Sequence, residues 1–198
     1  TDRVLPWSRV SRILYQICRA LEAAHNNGIV HRDMKPANCF LVRRSGIDDF
    51  VKLLDFGIAK IIEGEDPDSI GSLTEAGAVI GTPEFMSPEQ IQGAPVDKRM
   101  DIYAVGCIAY RMLTGHLPFR DTTSYGTMTL QVHADPVPLG DRAPEAKIPE
   151  AVQALVMRAL EKDPNARYQS MTEMLTAIEE ICSVGAALNA EASQMLKV

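Results

Sequence analysis

Apolar residues recur every three or four positions between Trp7 and Asn27, which is the period of one face of an α-helix. Gly28 follows, and glycine often ends a helix because it adopts a left-handed backbone without strain. The pattern therefore predicts an amphipathic helix with one buried face. Its apolar positions are Val10, Ile13, Leu14, Ile17, Leu21 and Ala24.

Two short apolar runs, at 39–42 and 50–54, flank a polar stretch that contains Ser45, Gly46 and Asp48. Short apolar runs separated by turn-forming residues predict two antiparallel strands joined as a hairpin. A longer run at 101–115 is almost continuously apolar, which predicts a helix buried on all sides.

Two further helices are predicted at 149–161 and from 170 to about 184, because their apolar residues recur at helical spacing. Residues 116–148 show little periodicity, and we expect them to wrap the surface. Residues 185–198 are rich in small residues and predict a weakly helical tail. Residues 58–89 read as one long polar loop, and a loop of that length in a compact domain usually has a function.

The strongest chemical signal is the run His-Arg-Asp-Met-Lys-Pro-Ala-Asn at 31–38, with Asp-Phe-Gly at 55–57. Together these runs supply two carboxylates, a cation and an amide. Phosphoryl transfer needs a base, metal ligands and a cation that faces the phosphate. Taken singly, each of these side chains could be an ordinary solvated loop residue. Their ordered combination favours a catalytic function.

These motifs, with Gly-Thr-Pro-Glu-Phe-Met-Ser-Pro-Glu at 81–89, resemble the eukaryotic-type Ser/Thr protein kinases and their bacterial relatives. The resemblance implies a mainly α fold, the large C-terminal lobe of a kinase, with a small β-hairpin at the catalytic cleft. It implies that 1–184 form this lobe, with a catalytic loop at 31–38 and an activation segment at 55–89. Residues 185–198 would form a C-terminal tail.

The resemblance also implies residue roles. Asp33 would accept or orient the proton of the substrate hydroxyl, and Lys35 would meet the transferring phosphate. Asn38 and Asp55 would hold Mg²⁺, or Mn²⁺ in its place, and with Lys35 they would bind ATP. Thr82 would bridge Asp33 and Lys35.

Other residues are expected to support this site. His31 would hydrogen-bond within the catalytic loop, and Gly57 would permit the turn at Asp-Phe-Gly. Arg32 would receive a phosphate carried by the activation segment, with Thr74 as first acceptor and Ser72 as second. For Thr74 the alternative is an unmodified hydroxyl.

Three residues are expected to hold the lobe together. Glu89 and Arg167 resemble a buried ion pair that ties the activation segment to the late helices. Asp101 resembles the residue that holds the backbone of the catalytic loop, although an acid favoured by the dipole at a helix N-terminus explains it equally well.

A complete kinase domain also has a small β-rich lobe with a glycine-rich loop, an ATP-anchoring lysine and a partner glutamate, and these 198 residues show none of those motifs. We therefore expect the chain alone to be inactive or nearly so, until an upstream segment or another chain completes the cleft. The alternative is a non-catalytic docking module. A small-molecule phosphotransferase fits poorly with Lys35 and the Gly-Thr-Pro-Glu segment.

The resemblance implies ATP and a protein substrate as partners. A formal charge of −6 and a pI near 5.2 argue against binding to nucleic acid, which rewards clustered Lys and Arg. There is no apolar run long enough for a membrane span and no secretion signal, so a cytoplasmic location is expected. The four cysteines are expected to be buried, reduced thiols: Cys18, Cys39, Cys107 and Cys182.

Overall fold

The computed structural model describes residues 4–44, 47–55 and 82–195. The described chain is mostly helical, with one two-stranded antiparallel sheet. Its elements are α1 (Trp7–His25), β1 (Cys39–Arg44), β2 (Ile47–Leu53), α2 (Pro88–Ile91), α3 (Arg99–Thr114), α4 (Ser124–His133), α5 (Leu139–Arg142), α6 (Glu150–Ala159) and α7 (Met171–Met195). Short 3-10 turns lie at Pro36–Asn38, Pro83–Phe85 and Pro144–Ala146.

Helix α1 confirms the first prediction from the sequence. The apolar stripe is buried from Val10 to Leu21, and the helix packs against α7, β2 and α3. It ends at His25, and Gly28 then turns the chain with φ +74°. This turn directs the chain into the predicted catalytic loop at 31–38.

The predicted hairpin is also confirmed, and α1 holds it in place. Strands β1 and β2 pair with Cys39 opposite Leu53. The Gln16 side chain donates to the Asp49 carbonyl at 2.9 Å and accepts from the Val51 N–H at 3.0 Å. Arg9 forms a two-pronged ion pair with the Asp49 carboxylate at 2.8 and 2.7 Å. These contacts fix the middle of β2 relative to the helix.

Helix α3 is the centre of the core, as the continuous apolar run predicted. Every residue from Met100 to Tyr110 is buried. Gly115 ends the helix with φ 75°, a left-handed conformation that suits glycine. Helices α1, α5 and α6 all contact α3, so the other elements are arranged around it.

The C-terminal half contains one helix that the apolar pattern missed and one that is longer than expected. Residues 116–148 contain helix α4, which hydrophobic periodicity missed because its two buried residues, Thr127 and Gln131, are polar. The last helix does not end near residue 184 but continues to Met195. The added stretch is rich in alanine, which favours helix more than any other residue.

The expectation that all four cysteines are buried was correct only in part. Cys18 and Cys107 are buried, and burial raises the pKa of each thiol to about 12. Cys39 is half-buried, whereas Cys182 is exposed on α7. Within the described ranges, no helix is long and apolar enough to cross a membrane.

Candidate active site

Asp101, in the first turn of the central helix α3, holds the start of the catalytic loop. Its carboxylate accepts hydrogen bonds from the backbone N–H groups of His31 and Arg32, both at 2.9 Å. The His25 ring lies 2.8 Å from the same carboxylate, which is 1% exposed. Arg32 has φ 63°, an uncommon conformation for a residue with a side chain. The loop is therefore fixed to the most buried element of the fold.

The buried His31 ring joins the catalytic loop to the end of β2. Its Nδ1 accepts from the Asp33 N–H at 3.4 Å, so its Nε2 carries the proton and donates to the Leu54 carbonyl at 3.1 Å. Leu54 lies 23 residues after His31 in the sequence. The ring thus links the segment containing Asp33 to the segment that leads to Asp55.

Three predicted catalytic residues meet at one carboxylate oxygen. Lys35 Nζ donates to Asp33 Oδ2 at 2.8 Å, and Asn38 Nδ2 lies 3.3 Å from the same oxygen. Asn38 Nδ2 also donates to the Asp33 backbone carbonyl at 2.8 Å. Among the described residues, Asp33 Oδ1 has no hydrogen-bond partner, and the side chain is 27% exposed. Lys35 and Asn38 thus hold Asp33 Oδ2, while Oδ1 has no protein partner within the described ranges.

The backbone brings Asp55 beside Asn38. The Leu54 N–H donates to the Asn38 carbonyl at 3.0 Å, one residue before Asp55. Asp55 has φ 52°, so the chain turns sharply there in a conformation that costs energy for a residue other than glycine. Backbone strain of this kind is common at functional sites. The hairpin and the predicted catalytic loop therefore bring the backbones of the two predicted metal ligands, Asn38 and Asp55, close together.

Helix α2 makes a contact with the catalytic loop that sequence reasoning missed. Ser87 caps α2 by accepting from the Gln90 N–H at 3.3 Å, while Gln90 Oε1 accepts from the Ser87 N–H at 3.1 Å. Gln90 Nε2 also donates to the Arg32 carbonyl at 2.8 Å. The Ser-Pro-Glu-Gln spacing of this capping box was the available signal. Ser87 is thus a helix cap that orients Gln90 toward the loop.

Glu89 and Arg167 form a buried two-pronged ion pair, with N–O distances of 2.6 and 2.8 Å. The other guanidinium hydrogens go to the backbone carbonyls of Glu161, Arg99 and Lys162, so all five donors of Arg167 are used. The Arg167 side chain is 0% exposed. This pair ties α2 to the segment between α6 and α7.

The structure gives less information about the other predicted site residues. Thr82 precedes the Pro83–Phe85 turn, and within the described ranges its hydroxyl makes no hydrogen bond to Asp33 or Lys35. Arg32 Nε is buried, with no hydrogen-bond partner among those same residues. Gly57, Ser72 and Thr74 lie outside the described residues.

Comparison with known families matches residues 1–178 to the family described as protein kinase domain. The chain is 47% identical over 162 residues to the serine/threonine-protein kinase pkn3 of Myxococcus xanthus, covering 82% of the chain and 29% of pkn3. It is 40% identical over 174 residues to PknB of Mycobacterium tuberculosis, covering 88% of the chain and 26% of PknB.

A solved structure with a similar fold is the PknI kinase domain of Mycobacterium tuberculosis. The TM-score is 0.63 at 27% identity, and the match covers 90% of this chain and 56% of that one. The chain therefore spans less than a third of these curated relatives and little more than half of a solved kinase domain.

Proposed function

The chain belongs to the protein kinase domain family, and on that premise we propose that it forms the large C-terminal lobe of a Ser/Thr protein kinase. In this proposal residues 1–184 are the lobe, 31–38 the catalytic loop, 55–89 the activation segment and 185–198 a tail. The protein transfers the γ-phosphate of ATP to Ser or Thr hydroxyls of a protein substrate. The supporting observation is the convergence of Asp33, Lys35 and Asn38 at one carboxylate oxygen.

Asp33 is proposed to act on the substrate hydroxyl. Lys35 and Asn38 hold Oδ2, which orients the carboxylate so that Oδ1 can accept the proton of an incoming hydroxyl. Lys35 Nζ, 2.8 Å from Asp33, brings a positive charge to the place where the phosphate is transferred. Thr82 is proposed to join this pair when the substrate is bound.

Asn38 and Asp55 fit a magnesium site that is shared with ATP. The side-chain nitrogen of Asn38 points to Asp33, which leaves the side-chain oxygen of Asn38 for a cation. Asp55 adds a carboxylate. Such oxygen donors suit Mg²⁺, or Mn²⁺, which complete their coordination with phosphate oxygens and water. Bound Mg²⁺ would neutralise charge on the phosphates. Asn38 and Asp55 hold and orient that complex.

A small lobe, from an upstream segment or a second chain, is proposed to cover the hairpin side of the site. Four large apolar residues in this region are 43–50% exposed: Ile29, Phe40, Leu41 and Leu54. Exposed apolar groups of this kind favour a covering partner. Positioning of reactants contributes about 7–11 kcal/mol to catalysis, whereas a general base contributes about 10²–10⁴-fold. These 198 residues alone are therefore expected to transfer phosphate very slowly.

Thr74, with Ser72 as second choice, is proposed to carry an activating phosphate. Arg32 Nε is buried and has no hydrogen-bond partner within the part of the chain that the structure describes, which supports an anionic partner for that guanidinium. A phosphate paired with Arg32 would tie the segment that carries Thr74 to the catalytic loop. Mass spectrometry of the protein after incubation with ATP identifies the acceptor.

The proposed function predicts an activity that depends on Asp33. The protein expressed from its complete reading frame should transfer labelled γ-phosphate to Ser/Thr peptides, and Asp33→Asn should lower kcat by about 10²–10⁴-fold because the base is lost. Asp48→Asn is the matched control, since Asp48 is 78% exposed on the hairpin. Equal activity of Asp33→Asn and the wild type would contradict the proposal.

A non-catalytic docking module is the second candidate, and the same exposed apolar region favours it. Under that alternative the complete protein binds a partner in a defined stoichiometry but transfers no phosphate. Asp33→Asn would then leave binding unchanged. Light scattering of the complex, measured beside the phosphate-transfer assay, separates the two candidates.

A further inference from the structure

A buried polar network lies behind the turn that follows Thr82. Gln131, on α4, is 0% exposed, and its Nε2 donates to the Pro83 carbonyl at 3.2 Å. Its Oε1 accepts from the hydroxyl of Tyr103, on the central helix α3. One amide therefore joins the Pro83–Phe85 turn to the core. Both helices, α3 and α4, follow this turn later in the sequence.

Lys162 anchors this network from a third direction. Its Nζ donates to the Gln131 backbone carbonyl at 2.7 Å and lies 3.8 Å from the centre of the Phe119 ring. The same ammonium is 3.5 Å from the Tyr103 hydroxyl. Partial burial lowers the pKa of the Lys162 ammonium to about 8. Gln131 is thus held at both its backbone and its side chain.

We propose that Gln131 is a positioning residue for the protein substrate, because its amide fixes the backbone of the Pro83–Phe85 turn next to Thr82. This inference rests on the proposed function and assigns the turn after Thr82 a support outside the catalytic loop. Gln131 does not touch the reacting atoms. Instead, it sets the position of the turn that follows Thr82, the residue proposed to join Asp33 and Lys35 when the substrate is bound.

The arrangement favours positioning over simple packing. An apolar side chain would fill the same volume, whereas only an amide both donates to a carbonyl and accepts from a hydroxyl at this place. The Pro83 carbonyl also accepts from the Met86 N–H at 3.3 Å within the turn, so the Gln131 amide supplies the bond that ties this carbonyl to α4. Loss of the Gln131 amide is therefore expected to move the Pro83 carbonyl and its neighbour Thr82.

The test uses the protein expressed from its complete reading frame and one fixed threonine peptide, chosen as the best acceptor for the wild type. Gln131→Met should raise the KM for the peptide by about tenfold. The KM for ATP and the slow hydrolysis of ATP by water should stay unchanged, because Thr82 is proposed to join Asp33 and Lys35 only when the peptide is bound. Tyr103→Phe, which keeps the ring but removes the donor to Gln131, should act in the same direction with a smaller effect.

Gln153→Met is the matched control. Gln153 also bridges backbone groups, accepting from the Gly140 N–H at 2.9 Å and donating to the Ile148 carbonyl at 3.0 Å, but it contacts no residue of the site. It should leave the peptide KM unchanged. If Gln131→Met does not fold, Tyr103→Phe decides the question.

An unchanged peptide KM in the Gln131 and Tyr103 variants would overturn the inference, as would an equal loss of ATP hydrolysis and peptide phosphorylation. Both results count only when the wild type phosphorylates the peptide in the same assay. A wild type that phosphorylates no Ser/Thr peptide would instead contradict the proposed function itself.

Discussion

Single side chains in this fold carry several contacts each, and Arg167 is the clearest example. Its five donors reach Glu89 and three backbone carbonyls, two of them at Glu161 and Lys162 and the third at Arg99. Tyr103 lies beneath the guanidinium at 4.8 Å. Removal of one partner from a buried ion pair leaves an uncompensated charge, which is more costly than the pair itself is favourable.

Arg167→Ala is therefore expected to lower the free energy of unfolding by about 3–5 kcal/mol. Arg19→Ala is the control, because Arg19 pairs with Glu22 at 2.6 Å but is 60% exposed, and an exposed pair contributes about 0–1 kcal/mol. Urea unfolding of the two variants gives both values. A loss for Arg167→Ala no larger than that for Arg19→Ala would contradict the structural importance of the Glu89 pair.

Secondary-structure elements that follow a hydrophobic period were predictable here, and those built on polar contacts were not. Helices α1 and α3 follow from their apolar patterns. Helix α4 was missed because its buried positions are Thr127 and Gln131, which periodicity counts as surface. The cap of α2 by Ser87 was readable from the Ser-Pro-Glu-Gln spacing, whereas the bond from Gln90 to the Arg32 carbonyl was not.

Helices α3 and α6 pack closely at Gly106. A Cβ at this position would lie 2.9 Å from the Ala159 Cβ and 3.2 Å from Leu160 Cδ2, closer than atoms normally pack. Gly106→Ala should therefore destabilise the fold by about 1–3 kcal/mol through overpacking.

A double-mutant cycle checks this contact. Ala159→Gly removes the nearest carbon, so Gly106→Ala combined with Ala159→Gly should be less destabilised than the sum of the two single variants. Thermal or urea unfolding gives the coupling energy. Additive effects would show that the two helices do not meet at this glycine.

Across the whole molecule, the site is assembled from segments that are distant in sequence but bonded to one core. Asp101 holds the catalytic loop, His31 joins that loop to the end of β2, and Gln90 joins it to α2. The motifs at 31–38 and 55–57 indicated which residues to examine. Their spacing could not show these cross-links, because the bonds join positions 23 to 70 residues apart.

The central claim is that Asn38 and Asp55 hold one metal ion together with ATP. We would test it by NMR on the protein from its complete reading frame, labelled with ¹⁵N at Asn and Asp, with Mn²⁺ and ATP added and Mg²⁺ as the diamagnetic reference. The backbone amides of Asn38 and Asp55 should broaden together as Mn²⁺ and ATP bind. If both signals stayed sharp while Mn²⁺ and ATP bound, the two residues would not share a metal site, and the proposed phosphate-transfer centre would be wrong.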